Sequence, residues 1–126
     1  MSDHAIANAK AWLESIREMV AALDSEDGAR DEAAQRIRES VLSVEVRDGW
    51  RRPDEDQRAP AEFSILLTTG GPALRLRGDL DDWCEPEAPF RLQWQDWGTP
   101  WTDYEMTRDD TLACAAFARC FWFGEA

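Results

Sequence analysis

One histidine, three cysteines and 26 carboxylates are the side chains with which this 126-residue chain could do chemistry. His4 stands near a terminus expected to fray, a poor place for a catalytic imidazole. With no second histidine, any Ser-His-Asp or Cys-His arrangement would rest on that residue alone. Cys84, Cys114 and Cys120 show no C-x-x-C spacing, which argues against both a zinc site and a disulfide framework. Cys114 and Cys120 fall on an expected helix about 240° apart around its axis, and read as small buried hydrophobes. Cys84 lies among carboxylates, where a thiolate nucleophile is disfavoured. The cluster Asp79-Leu80-Asp81-Asp82 lacks the glycine and closing glutamate that make a calcium loop of the EF-hand kind. Gly70-Gly71-Pro72 is followed by no G-K-[ST] and is no phosphate loop. A carboxylate pair working on a glycoside stays open, but so short a chain has little room for a cleft. The expectation is a non-enzymatic protein without metal or cofactor.

The carboxylates matter more as a field. Against 14 bases they leave a formal net charge of −12 and a pI near 4.4. Direct binding to nucleic acid needs a basic footprint, and an anionic membrane surface repels an acidic chain. Acidity suits either solubility or steering toward a basic protein surface. A chain of this length is roughly 36 Å across, from a radius of gyration of roughly 14 Å. Duplex DNA of that length carries about 21 phosphates. The carboxylates could mimic it only if they gather away from the arginines.

The elements that must position these groups follow from hydrophobic period. Ile6, Ala9, Leu13, Ile16, Val20 and Leu23 recur at helical spacing, flanked by Ala5, Trp12 and Met19, which predicts a helix over 3–23. A break at 24–28 leads to a second helix over 29–40, edged by Ala33, Ala34, Ile37 and Val41. After Leu42 the period becomes two: Leu42/Val44/Val46, Phe63/Ile65/Leu67, Leu74/Leu76 and Phe90/Leu92/Trp94 predict four strands. Short connections make an antiparallel meander the economical pairing. Thr107-x-x-Asp110 resembles a capping box and opens a last helix, apolar nearly all round, through Phe121. The fold expected is α+β in the order ααββββα, a single domain over 1–126 with a four-stranded antiparallel sheet covered by helices on one face.

On this reading the open sheet face is rich in arginine, with Arg47, Arg75, Arg77 and Arg91 against Glu45. The acids gather in turns: Asp24/Glu26/Asp27, then Asp54/Glu55/Asp56, then Asp79/Asp81/Asp82/Glu85/Glu87, and a group around Asp103 to Asp110. Trp12 and Trp94 lie on apolar stripes and belong to the core. Trp50, Trp83, Trp97 and Trp101 lie in loops among acids and prolines, where tryptophan is a common interface anchor. Solvated loops that merely keep the protein in solution are the competing reading.

The stretches Ile65-Leu66-Leu67-Thr68-Thr69-Gly70-Gly71-Pro72-Ala73-Leu74-Arg75 and Gln95-Asp96-Trp97-Gly98-Thr99-Pro100-Trp101-Thr102 have a familiar look, as does the opening Asn8-Ala9-Lys10-Ala11-Trp12-Leu13-Glu14-Ser15-Ile16. The chain resembles a group of small acidic proteins carried by phages, plasmids and integrated elements. That resemblance implies a protein of the bacterial host's cytoplasm, which the lack of a signal-peptide pattern at Met1 also suggests. It transfers no site residue. By analogy of size and charge with anti-CRISPR and antirestriction proteins, it points to an inhibitor of a host nucleic-acid-handling complex, foremost a CRISPR effector. The expected contacts are Asp54, Glu55, Asp56, Asp79, Asp81, Asp82 and Trp83, set into a basic channel of that partner protein. The alternative is an accessory or structural interaction protein of the mobile element, using the arginine-rich sheet face.

Overall fold

The opening stripe forms α1 (Ser2–Ala22) in the computed structural model, which describes residues 2–24, 29–54, 60–69 and 71–124. Ala5, Ala9, Leu13, Ile16 and Met19 are its buried residues, so the inward face is turned toward the flank that carries alanine. Ile6 and Val20 lie at its border. Helix α2 (Arg30–Glu39) packs Ala33 and Ile37 into the same core, with Asp31 and Glu32 at the favourable end of its dipole.

Five strands follow, not the four expected: β1 (Ser43–Arg47), β2 (Glu62–Thr68), β3 (Ala73–Leu80), β4 (Pro86–Gln95) and β5 (Thr102–Tyr104), then helix α3 (Arg108–Ala118). All neighbours are antiparallel, in the order β1-β2-β3-β4-β5. The added strand is three residues long, too short to show a period, and takes its pairing from β4 through Leu92↔Tyr104, Gln93↔Asp103 and Trp94↔Thr102. Strand β3 also runs past Arg77, the last residue of the expected alternation, to Leu80. At Gly78 a β-carbon would come within 2.5 Å of the Phe63 ring. Glycine is there so that the strand can continue over an aromatic ring, not so that it can turn.

Phe63, Ile65 and Leu67 of β2, Leu74, Leu76 and Leu80 of β3, and Leu92 of β4 face one core with α1 and α3. Each fully buried aliphatic or aromatic side chain contributes about 1.5–3 kcal/mol. Strand β1 is the exposed edge. Of the expected inward set Val44 packs against the core, while Val46, and Leu42 just before the strand, are exposed.

Helix α3 is shorter and more amphipathic than expected. Cys114, Ala115, Phe117 and Ala118 are buried, Leu112 is exposed, and Cys120 and Phe121 lie beyond the helix end. The capping box forms: Asp110 N donates to Thr107 Oγ1 at 3.1 Å and Thr107 N donates to Asp110 Oδ2 at 3.0 Å. The Arg17 guanidinium of α1 donates to Asp110 Oδ1, so one carboxylate caps α3 and ties it to α1. Burial opposes the charge on Asp110, but the Thr107 amide, Arg17 and the Thr107 hydroxyl outweigh it and hold the carboxyl below its usual range.

Two outcomes are expected. Gly78→Ala should destabilise by about 1–3 kcal/mol, the usual penalty of overpacking, as read by urea unfolding. Asp110→Asn should lose about 1–2 kcal/mol at pH 7. Because the native carboxyl titrates below the unfolded value near 3.9, its stabilisation is present above about pH 4. It is lost as pH falls through the native pKa, so the gap between Asp110→Asn and wild type should close in acid.

Candidate binding surface

The register of the sheet decides which charges meet. Arg47↔Glu62, Glu62↔Asp79 and Asp79↔Glu87 are direct cross-strand partners, so these four residues form one row across β1, β2, β3 and β4. That row marks one end of the sheet. The segment after β1, holding Trp50 and Asp54, leaves from this end, and the β3–β4 turn with Asp81, Asp82 and Trp83 closes it. Hydrogen bonds from Ala61 N to Arg47 O at 2.9 Å and from Leu80 N to Ala61 O at 2.8 Å extend the ladder to the base of that turn. Asp81 and Asp82 thus lie at the end of the sheet from which the segment holding Asp54 departs. Glu55 and Asp56 lie outside the described residues.

The expected contact residues do not all have the same freedom. Asp81 is committed to its own turn. Its Oδ1 accepts from Trp83 N at 2.9 Å and from Glu85 N at 3.0 Å. Cys84 takes the left-handed conformation, with φ of 60°, and turns its side chain inward. That arrangement leaves Asp82 exposed beside Trp83, which is 75% exposed. Asp79 is a strand residue, half-buried, rather than the loop residue expected. The reason is again Gly78, which carries β3 on to Leu80.

Trp50, like Trp83, is exposed at this end. Trp122 was missed in the sequence because it follows an apolar helix and looked like part of its burial. Its neighbour Phe123 packs on Phe63 with ring centroids 4.8 Å apart, while Trp122 itself is 76% exposed. Trp97 is exposed on the β4–β5 turn at the opposite end, held by Asp96 Oδ1 accepting from Trp97 N at 2.8 Å.

The open face of the sheet is not the arginine-rich surface expected. Glu62, Asp79 and Glu87 share it with Arg47 and Arg77, and Asp103 joins through β5. Glu62 Oε2 accepts from Arg47 Nε at 2.7 Å, and its Oε1 accepts from Arg47 Nη2 at 3.0 Å and Arg77 Nη2 at 3.2 Å. The Arg47 hydrogen bond is the main cause that holds the Glu62 carboxyl below its usual range. Glu62 was legible as an outward residue from its place before Phe63, had β2 been started one residue earlier. Arg75 is set differently: Nε donates to Gln93 Oε1 at 2.9 Å, Gln93 Nε2 donates to Asp103 Oδ1 at 2.8 Å, and the guanidinium carbon lies 3.9 Å from the Trp101 ring centroid. Trp101 thus belongs to an internal stack, not to a free anchor.

Of the groups suited to nucleophilic or acid–base work, His4 lies exposed on the first turn of α1. Burial, and secondarily Asp110, push the Cys114 thiol up to about 12, and its Sγ lies 3.7 Å from Met106 Sδ. Among the described residues no three His, Cys, Asp or Glu side chains are grouped to hold a metal ion, and no helix is long and apolar enough to cross a membrane. The surface carries fixed carboxylates and exposed tryptophans at one sheet end. Comparison with protein-family models, with curated proteins and with solved structures gives no match.

Asp81→Ala should loosen the β3–β4 turn and destabilise by about 1–2 kcal/mol, because two amides lose their acceptor. Asp82→Ala should stay within about 0.5 kcal/mol of wild type, as surface changes do. Urea denaturation of the two variants separates the carboxylate that builds the turn from the one that faces outward.

Proposed function

We propose that the protein is a non-enzymatic binding protein that docks on a basic surface of a partner protein through the acidic end of its sheet. The observation that supports this reading is the register, which sets Asp79 and the β3–β4 turn carrying Asp81, Asp82 and Trp83 at the end of the sheet from which the segment holding Asp54 departs. The acids steer the approach and meet lysine or arginine. Exposed tryptophans supply the apolar area that a charged contact lacks. The resemblance to proteins of mobile elements makes a nucleic-acid-handling defence complex of the bacterial host the class of partner to try first, with CRISPR effectors foremost. Occupying a basic channel there would inhibit the complex without any chemistry.

The accessory reading, in which the sheet face is the contact surface, gains less support. Two of the arginines it relies on, Arg47 and Arg77, are spent on Glu62.

Plasmid interference in cells carrying a panel of CRISPR systems tests the proposal. One system should lose immunity when the protein is present, and Asp82→Lys with Trp83→Ala should restore it while leaving the circular dichroism of the protein unchanged. Binding to the partner should weaken at least tenfold between 0.1 and 0.5 M salt, as screened fields require. Intact immunity throughout the panel sinks the CRISPR assignment. Salt-independent binding sinks the electrostatic mechanism.

A further inference from the structure

Arg75 is the one arginine of the open face whose head group is fixed from two sides. Asp103 orients Gln93, Gln93 holds Arg75 Nε, and the Trp101 ring lies against the guanidinium plane. The anchoring engages Nε and one face of the guanidinium, and among the described residues neither of the two Nη groups meets a carboxylate. They border a depression of about 300 Å³, lined also by Ser64, Glu45, Arg47, Glu62 and Arg77.

A surface arginine ordinarily keeps its head in water and its stem on the protein. Arg75 instead has a partly desolvated head with two guanidiniums beside it, an arrangement that is unfavourable without a counter-charge. Burial first, then Arg77 and Arg47, push its pKa down, and the charge of Glu45, which forms no ion pair with it, offsets them only in part. Arg47 and Arg77 are already engaged by Glu62. We propose that this depression is a binding site for the carboxylate group of a small organic acid, received by the free Nη edge of Arg75 with Ser64 at its side.

Charge selects the class of anion. Arg47, Arg75 and Arg77 against Glu45 and Glu62 leave one positive charge in the lining. A monoanion neutralises it. A phosphate dianion would overshoot and face Glu45 as well. The geometry suits a carboxylate, whose two oxygens match the parallel N–H donors of a guanidinium edge. The volume is at the lower end for ligand sites and fits a small acid rather than a nucleotide. The depression adjoins the acidic end of the sheet through Arg47 and Glu62 but includes none of Asp54, Asp79, Asp81, Asp82 and Trp83, so it stands whether or not those residues dock on a basic partner.

The test is an NMR titration of the arginine Nε–Hε resonances of the intact protein with sodium benzoate, sodium acetate and sodium phosphate, at ionic strength held constant with sodium chloride. Benzoate and acetate should shift the Arg75 resonance saturably, with dissociation constants on the order of millimolar, and leave Arg91 on the same face unmoved. Arg75→Lys, which keeps the charge and loses the planar fork, should weaken the binding about tenfold. Arg91→Gln should leave it unchanged. A shift that chloride reproduces, a non-saturating shift, or equal movement of Arg75 and Arg91 overturns the site. Tighter binding of phosphate than of benzoate overturns the carboxylate assignment. Should Arg75→Lys fold poorly, the wild-type titrations alone decide.

Discussion

A sheet covered on one face only must satisfy two solvents with the same strands. In β2 and β3 every second residue goes into a core shared with α1 and α3, and every residue between them faces outward. The alternation leaves no freedom of register, since a slip of one residue would put Phe63, Ile65 and Leu76 into water and Glu62 and Arg75 into the core. Once the apolar side is fixed, the outward row is fixed too. Arg47, Glu62, Asp79 and Glu87 stand abreast because Phe63 must lie under Gly78. The polar architecture is a consequence of the packing, not an independent feature.

The covering layer has its own version of this economy. Helix α3 follows a three-residue strand with little chain between them, so its first turn must be capped where it meets α1. Asp110 does both, capping through Thr107 and bridging to Arg17. A carboxylate that is 7% exposed is tolerated only because three groups stabilise its charge. An apolar residue there would leave Arg17 without its partner and the first turn of α3 without its cap.

Much of this was legible in the sequence where a single physical signal acted alone. The α1 stripe, the inward residues of β2, β3 and β4, and the capping box of α3 all follow from period or local hydrogen bonding. What stayed hidden depended on partners distant in sequence. Strand β5 exists because Gln93 and its neighbours offer an edge to pair with. Gly78 has no visible role until Phe63 is seen beneath it. Arg75 is a plain outward residue until Trp101, 26 positions on, is folded against it. The acidic end was half legible: Asp81, Asp82 and Trp83 were visible as a turn, but the row of Glu62, Asp79 and Glu87 beside it is a property of register alone.

The charge of −12 is divided by these constraints into two populations. Some acids are engaged internally, as Glu62 is by Arg47 and Arg77 and Asp110 is by Arg17. Others are pressed against like charge. Asp79 and Glu87 are direct partners, and like charges directly opposite one another in a sheet are destabilising, by up to about 1 kcal/mol. Asp82 and Glu85 add to the same end. That repulsion is small against a folding free energy of about 5–15 kcal/mol, so the fold bears it. A cationic surface placed against this end would relieve it, whereas one placed against the paired acids would first have to displace arginine. Paired acids hold the sheet together; opposed acids at its end are the ones with free energy to gain from a partner.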